Sequence, residues 1–193
     1  IMKLICTVIL NYNNYDDTKE CIDSIIRMQF SSDYTNKIVL IDNCSTDESG
    51  ERLYHLYGEK IVYLKSDFNC GYAAGNNIGI RYSVEHGANY ICVLNNDTVA
   101  FENCILPCVE YLEEYPNTGF IGPLIENYDD AMVQSTGGDI FWRKGSIIVK
   151  NQGVSKGNLP KEIESDYIGG ACLIFRSNLI EKIGFIPEDY FLF

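Results

Sequence analysis

The 193-residue sequence predicts an α/β fold: a mostly parallel sheet flanked by helices on both faces. Three observations predict it. Short runs of consecutive apolar residues alternate with helical apolar stripes over the first 120 residues. The runs lack the in-and-out polarity of a strand with one wet face, so both faces are covered. Each of three runs is followed directly by a segment rich in Asn and Asp, which is where ligands sit in open parallel sheets.

Taken in order, Leu4 to Leu10 is a continuous apolar run and reads as a buried strand. Cys21, Ile25 and Met28 fall at i, i+4, i+7, so Asp17 to Gln29 reads as an amphipathic helix. Lys37 to Ile41 is a second strand. Ser45 and Glu48 have capping-box spacing, and Leu53, Leu56 and Tyr57 continue a helical stripe. Ile61 to Leu64 is a third strand. Ala74, Ile78 and Tyr82 mark a helix that ends near His86-Gly87. Tyr90 to Leu94 is a fourth strand, and Ile105, Val109 and Leu112 mark a helix stopped at Tyr115-Pro116. After Gly122 the texture changes to glycine-punctuated pieces, Ile140 to Trp142 and Ser146 to Val149, which read as hairpins and loops. Residues 1–193 thus read as one domain, with a core over 2–122 and an irregular lobe over 123–193.

Charge narrows the partners. Lys and Arg number 15 against 27 Asp and Glu, a formal charge of −12. A phosphate backbone would be repelled, so no nucleic-acid partner is expected. An anionic small ligand would need a metal ion, a helix N-terminus or backbone N–H groups to hold it. Arg143, Lys144, Lys150, Lys156 and Lys161 concentrate in the second part and read as a solvated loop face, with a dedicated anion site as the alternative. Of eight cysteines, Cys6, Cys92 and Cys172 lie in apolar runs, where a free thiol behaves as a small hydrophobe. With only His55 and His86 to add, the spacing argues against a zinc site. The expectation is a reducing, cytoplasmic setting, with the two glycosylation sequons at Asn43 and Asn96 arising by chance. No apolar run is long enough to span a membrane. Ile1 ahead of Met2 reads as a tag remnant, and the stop at Phe193 reads as a truncated chain.

The candidate chemistry sits after the strands. Neither a Gly-x-Gly-x-x-Gly turn nor a Walker lysine loop is present. The first strand ends instead in Asn11-Tyr12-Asn13-Asn14, where Tyr12 either lies against a flat base or packs a loop. Asp42 follows the second strand; its carboxylate either accepts a hydrogen bond from a base or ribose, or caps the next turn. Asn95-Asn96-Asp97 follows the fourth strand. A carboxylate there, beside amide oxygens, suits a hard cation such as Mg²⁺ or Mn²⁺ that keeps waters and binds phosphate. Asp97 could equally cap the following segment. In Asn69-Cys70-Gly71-Tyr72-Ala73-Ala74-Gly75-Asn76-Asn77-Ile78-Gly79, the glycines allow close approach of a ligand or of the sheet.

These pieces, in order, resemble family 2 glycosyltransferases with a GT-A fold, especially bacterial rhamnosyltransferase-like members. The resemblance rests on Val8 to Asn13, Ile41 to Asp47, Asn69 to Gly79, Leu94 to Thr98, Gly169-Gly170-Ala171 and Gly184 to Leu192. It implies an inverting transfer of a sugar from a UDP- or dTDP-sugar to a saccharide acceptor, in cell-envelope or capsular polysaccharide synthesis. It puts Leu10 and Tyr12 around the pyrimidine and Asp42 on its N3–H. Asn69, Gly71, Asn76 and Asn96 would line the donor, Asp97 would hold the metal, and Gly169 and Gly170 would border the acceptor. Asn96 stands where many relatives carry an aspartate, and Gly71 where some carry an arginine. The resemblance also implies a lipid-linked acceptor at the inner membrane face, with peripheral membrane contact. The Glu-Asp pair that carries the general base follows the aromatic segment in relatives, so no catalytic residue is assigned. A nucleotidyltransferase and a non-catalytic sugar-nucleotide-binding fragment are the alternatives; the first wants a basic, glycine-rich first loop, and Asn11 to Asn14 has no Gly, Lys or Arg.

Overall fold

Apolar runs flanked by capping and turn residues build the central sheet of a computed structural model that describes residues 2–191. The first half alternates β1 (Lys3–Asn11), α1 (Tyr15–Ile26), β2 (Tyr34–Asp42), α2 (Ser49–Tyr57), β3 (Ile61–Lys65), α3 (Gly71–Glu85), β4 (Tyr90–Asn95) and α4 (Ile105–Glu114). Then come β5 (Phe120–Ile121), β6 (Ile125–Glu126), β7 (Val133–Ser135), β8 (Gly138–Phe141), β9 (Ser146–Val149), β10 (Cys172–Arg176) and α5 (Leu179–Ile183). The main sheet has the order β3-β2-β1-β4-β10-β5. Strands β1 to β4 run parallel, and β10 runs antiparallel to both β4 and β5.

Strand periodicity sorts the side chains into two cores. Ile5, Ile9, Ile38, Leu40, Cys92 and Leu94 face one side, where α1, α2 and α4 contribute Ile22, Leu53 and Val109. Cys6, Val8, Val39, Ile41, Ile91 and Val93 face the other, against Ile80 of α3. Both faces are therefore covered, and near-continuous apolar runs are what such strands require. Helix α3 lies close because its contact face carries glycine. A Cβ at Gly79 would stand 2.5 Å from Cγ1 of Val8 and 2.6 Å from Cδ1 of Ile41. Gly79→Ala gains roughly 1 kcal/mol of helix propensity but overpacks at about 1–3 kcal/mol. The expected result is a net loss of about 1 kcal/mol, read as a lower urea midpoint. An unchanged or higher midpoint would mean that α3 lifts freely from the sheet.

Two expectations are corrected. Ser45 and Glu48 form no capping box: α2 starts at Ser49, and Glu48 is its N-cap in the left-handed region with no side-chain cap bond. Asp47 Oδ1 instead accepts the Ser49 N–H at 3.0 Å, and Ser45 Oγ is used by the first loop. The second part is also not wholly an irregular lobe. Strand β10 returns into the main sheet beside β4, with Cys172 and Ile174 in the core. A five-residue strand set among glycine-rich loops carries too little periodicity to stand out.

Candidate functional site

A cleft of about 400 Å³ opens at the carboxyl ends of β1 and β4, beside the start of α3. Of the residues singled out from the sequence, Leu10, Tyr12, Asn69, Gly71, Asn76, Asn96 and Asp97 line it together. Asn14, Asn43, Tyr72, Leu94, Asn95 and Phe191 complete the wall. Among these described lining residues there is no Lys, Arg or His, and Asp97 carries the one charge. A second cavity of about 330 Å³ lies by Lys3, Asn89, Tyr90, Glu113 and Arg176. Its ionic groups are already spent: Lys3 and Tyr90 bond to Glu113, and Arg176 donates to the carbonyls of Thr118 and Tyr115.

The cleft floor is an amide network. Asn11, fully buried at the end of β1, shares its Nδ2 hydrogens among Asp42 Oδ1 (3.3 Å), Ser45 Oγ (3.1 Å) and Ser49 Oγ (2.9 Å). Its Oδ1 accepts from Thr18 Oγ1 at 2.9 Å, and Thr18 in turn accepts from Asn96 Nδ2 at 2.8 Å. One chain of hydrogen bonds thus ties the β1, β2 and β4 ends to α1 and α2, which fixes the floor. Asn43 does the same for the α3 side. Its Nδ2 donates to Asn69 Oδ1 (2.9 Å) and the Gly71 carbonyl (3.2 Å), while its Oδ1 accepts the Cys70 N–H (3.1 Å).

Asp42 does not enter the cleft. It shares a strand face with Ile38 and Leu40, so its carboxylate points under α2 and is fully buried. It accepts from Asn11 Nδ2, the Ser45 N–H (3.2 Å) and the Tyr63 hydroxyl (3.3 Å). Gly50 makes the room, since a Cβ there would lie 2.3 Å from Asp42 Cγ. Burial, with the Asp42 charge beside it, pushes the Tyr63 hydroxyl up, so Tyr63 stays a donor. The base-reading expectation for Asp42 therefore fails on geometry, and the turn-cap alternative describes its contacts. The neighbour on the opposite face, Asn43, is the one that reaches the wall. Period-two alternation from Ile38 and Leu40 was the signal for this in the sequence.

Asp97 is exposed to the cleft. It caps no helix: α4 begins at Ile105 with Cys104 as its N-cap. The turn after β4 is held instead by Thr98, whose N–H and hydroxyl both donate to the Asn95 carbonyl. Across the cleft the Tyr72 hydroxyl donates toward Asn95 Oδ1 (3.3 Å) and the Gly170 carbonyl (3.1 Å). Burial first, then the Asp97 charge, pushes that hydroxyl up. Gly170 thereby meets the cleft edge, with Gly169 in open space beside it. Gly71 has φ +82 and a Cβ there would lie 2.4 Å from the Phe191 carbonyl, which accepts the Tyr72 N–H at 2.8 Å. Asn77 and Arg81 hold the same segment through Ile186 and Glu188. Asp189 is exposed in the turn between and does not line the cleft. Among the described residues one wall atom is left over: Asn76 Oδ1 is buried with no hydrogen-bond partner there, while its Nδ2 donates to the Tyr72 carbonyl at 3.0 Å.

Among the described residues no three His, Cys, Asp or Glu side chains gather as a metal cage. The donor set at the β4 end is one carboxylate with amide oxygens nearby. That set fits a hard cation whose other ligands are water and phosphate, and fits a soft metal poorly.

Comparison with known proteins decides the family. The model of Glycosyl transferase family 2 matches residues 6–183. The chain belongs to that family. The hexosyltransferase Agl10 of low-salt glycan biosynthesis in Haloferax volcanii is 26% identical over 189 residues, covering 96% of this chain and 57% of Agl10. Glycosyltransferase GlyG of Streptococcus pneumoniae is 29% identical over 131 residues, covering 67% of this chain and 41% of GlyG. The chain thus spans about half the length of the curated relatives it matches. The fold is the GT-A one. The mannosyltransferase PcManGT from Pyrobaculum calidifontis, in complex with GDP-Man and Mn²⁺, superposes with a TM-score of 0.66 at 16% identity, over 98% of this chain and 49% of that one. TarS 1–349 of S. aureus, in complex with UDP, gives 0.68 at 13% identity, over 98% and 52%.

Proposed function

We propose that this chain binds the donor in an inverting, metal-dependent glycosyltransferase that moves a sugar from a UDP- or dTDP-sugar to a saccharide acceptor. The observation that carries the reading is the charge pattern of the cleft. In a family 2 member, Asp97 is the one charged group among the described lining residues, and it faces the opening unpaired. A diphosphate cannot rest against that carboxylate without a cation between them. Asp97 would therefore hold Mg²⁺ or Mn²⁺, which when bound neutralises the leaving diphosphate. The complexes of PcManGT with GDP-Man and Mn²⁺ and of TarS with UDP support the broader classes, a nucleotide-sugar ligand and a divalent metal; of the two, the TarS complex matches a uracil nucleotide.

The residues of this chain do the rest. Leu10 and Tyr12 offer an apolar and aromatic surface to the base, and Asn69, Gly71 and Asn96 shape the wall. Asn76 Oδ1 is an acceptor awaiting a ribose hydroxyl or base N–H. Gly169 and Gly170 border the acceptor side. Inversion needs a base that takes the proton from the attacking acceptor hydroxyl as the diphosphate leaves from the opposite face. The proposed setting is cell-envelope or capsular polysaccharide synthesis on the cytoplasmic side, with a saccharide or lipid-linked saccharide as acceptor.

Thermal shift against a panel of sugar nucleotides, with and without Mn²⁺, tests the reading, because a ligand that binds only the folded chain raises its melting temperature. The expected result is a shift for a UDP- or dTDP-sugar that needs the metal. No shift with any sugar nucleotide would overturn it. Asn76→Leu should weaken the responding ligand by roughly tenfold, the cost of one lost hydrogen bond. An unchanged affinity, by calorimetry, would leave Asn76 as packing only.

A further inference from the structure

The hairpin of β8 and β9 carries a patch that the donor cleft does not use. From Phe141 to Val149 it reads Phe-Trp-Arg-Lys-Gly-Ser-Ile-Ile-Val, with two cations and no acid. Trp142, at the turn, is 82% exposed. Ile140 pairs with Ile147 and Asp139 with Ile148, so consecutive apolar residues of β9 show on both faces. Ile147, Ile148 and Val149 are all exposed. A two-stranded hairpin gains little from such residues in water, and a contiguous exposed apolar patch marks a contact surface. The cations at the tip are equally unused. Arg143 and Lys144 make no ion pair among the described residues, whereas Lys150 at the hairpin base pairs with Asp139 at 2.5 Å.

We propose that this hairpin tip docks on an anionic lipid bilayer surface. An exposed indole beside aliphatic side chains suits the headgroup boundary, where an amphipathic ring has one apolar and one wet side. Two unneutralised cations in the same turn are attracted by anionic headgroups. On a chain of net charge −12 they also orient it, because the rest of the surface is repelled. A second copy of the chain is a poorer occupant. A two-fold contact through the tip would bring Arg143 and Lys144 against their own kind. The hairpin base is also joined to the cleft edge. The Gly138 N–H donates to the Tyr167 carbonyl at 2.9 Å, and three residues on, Gly170 accepts from Tyr72. Docking would thus hold the acceptor side of the cleft near the bilayer, a placement that rests on the acceptor reading above.

Trp142 is the only tryptophan, so intrinsic emission reports on the tip alone. The 193-residue chain is titrated with vesicles of phosphatidylcholine, or of phosphatidylcholine with phosphatidylglycerol, without donor or acceptor. Vesicle binding can then fail while sugar-nucleotide binding stands, and the reverse. The expected result is a blue shift and co-sedimentation with the phosphatidylglycerol vesicles, reversed by salt. The double variant Arg143→Gln/Lys144→Gln should bind roughly thirtyfold more weakly, with melting temperature unchanged. No response, or an equal response to both vesicles, overturns the proposal. So does a blue shift without vesicles that grows with protein concentration, which would assign the patch to a second copy.

Discussion

Asp97→Asn is expected to weaken metal-dependent binding of a UDP- or dTDP-sugar by roughly ten- to a hundredfold, the range for losing a contact made by a charged group. The substitution keeps size and shape, and Asp97 accepts no hydrogen bond among the described residues, so the fold should be undisturbed. The turn around it stays tied by Thr98 to the Asn95 carbonyl. The sign without metal is the informative part. A bare carboxylate repels a diphosphate, so in chelator the variant should bind the nucleotide as well as the parent or slightly better. Calorimetry in Mn²⁺ and in chelator gives both numbers. Equal losses in the two conditions would mean that Asp97 touches the donor directly and holds no metal. No loss in either would remove it from the site.

Much of this arrangement was legible in the sequence because buried parallel strands leave an unmistakable pattern. Val8 to Leu10 and Ile91 to Leu94 can be nothing but strand in a chain with helical stripes between them, and the ligand edge follows from topology. Of the cleft residues, Tyr12, Asn96 and Asp97 follow from that edge, whereas the places of Leu10, Asn69, Gly71 and Asn76 come from the resemblance to family 2 glycosyltransferases. What was not legible depended on direction or on distance. Asp42 and Asn43 are adjacent and both polar, and only the strand's period of two separates the buried one from the one in the wall. Phe191 reaches the cleft from the far end of the chain through Asn77 and Arg81, a contact that no local pattern encodes. Strand β10 was hidden for a similar reason. Its five residues pair with β4, which lies more than seventy residues earlier.

Asp42→Ala should lower the unfolding free energy by about 2–4 kcal/mol, as expected when a buried hydrogen-bonding hub is removed. Three donors lose their acceptor at once: Asn11 Nδ2, the Ser45 N–H and the Tyr63 hydroxyl. Asn11 retains Ser45 and Ser49, so its share of the loss is the smallest. Tyr63 and the Ser45 N–H have no such second partner among the described side-chain bonds, and both are left to find water through a packed floor. The Lys65 ammonium, 3.9 Å from Asp42 Oδ2, is half exposed and also pairs with Glu51, so its contribution is screened and small. In a chain of this size each kcal/mol moves the melting temperature by about 2–4 °C, so a fall of roughly 5–15 °C is expected. Affinity for the sugar nucleotide, measured well below the melting temperature, should change little, since Asp42 does not line the cleft. The opposite pattern, an unchanged melting temperature with a large loss of nucleotide affinity, would return Asp42 to the base-reading role that its burial under α2 argues against.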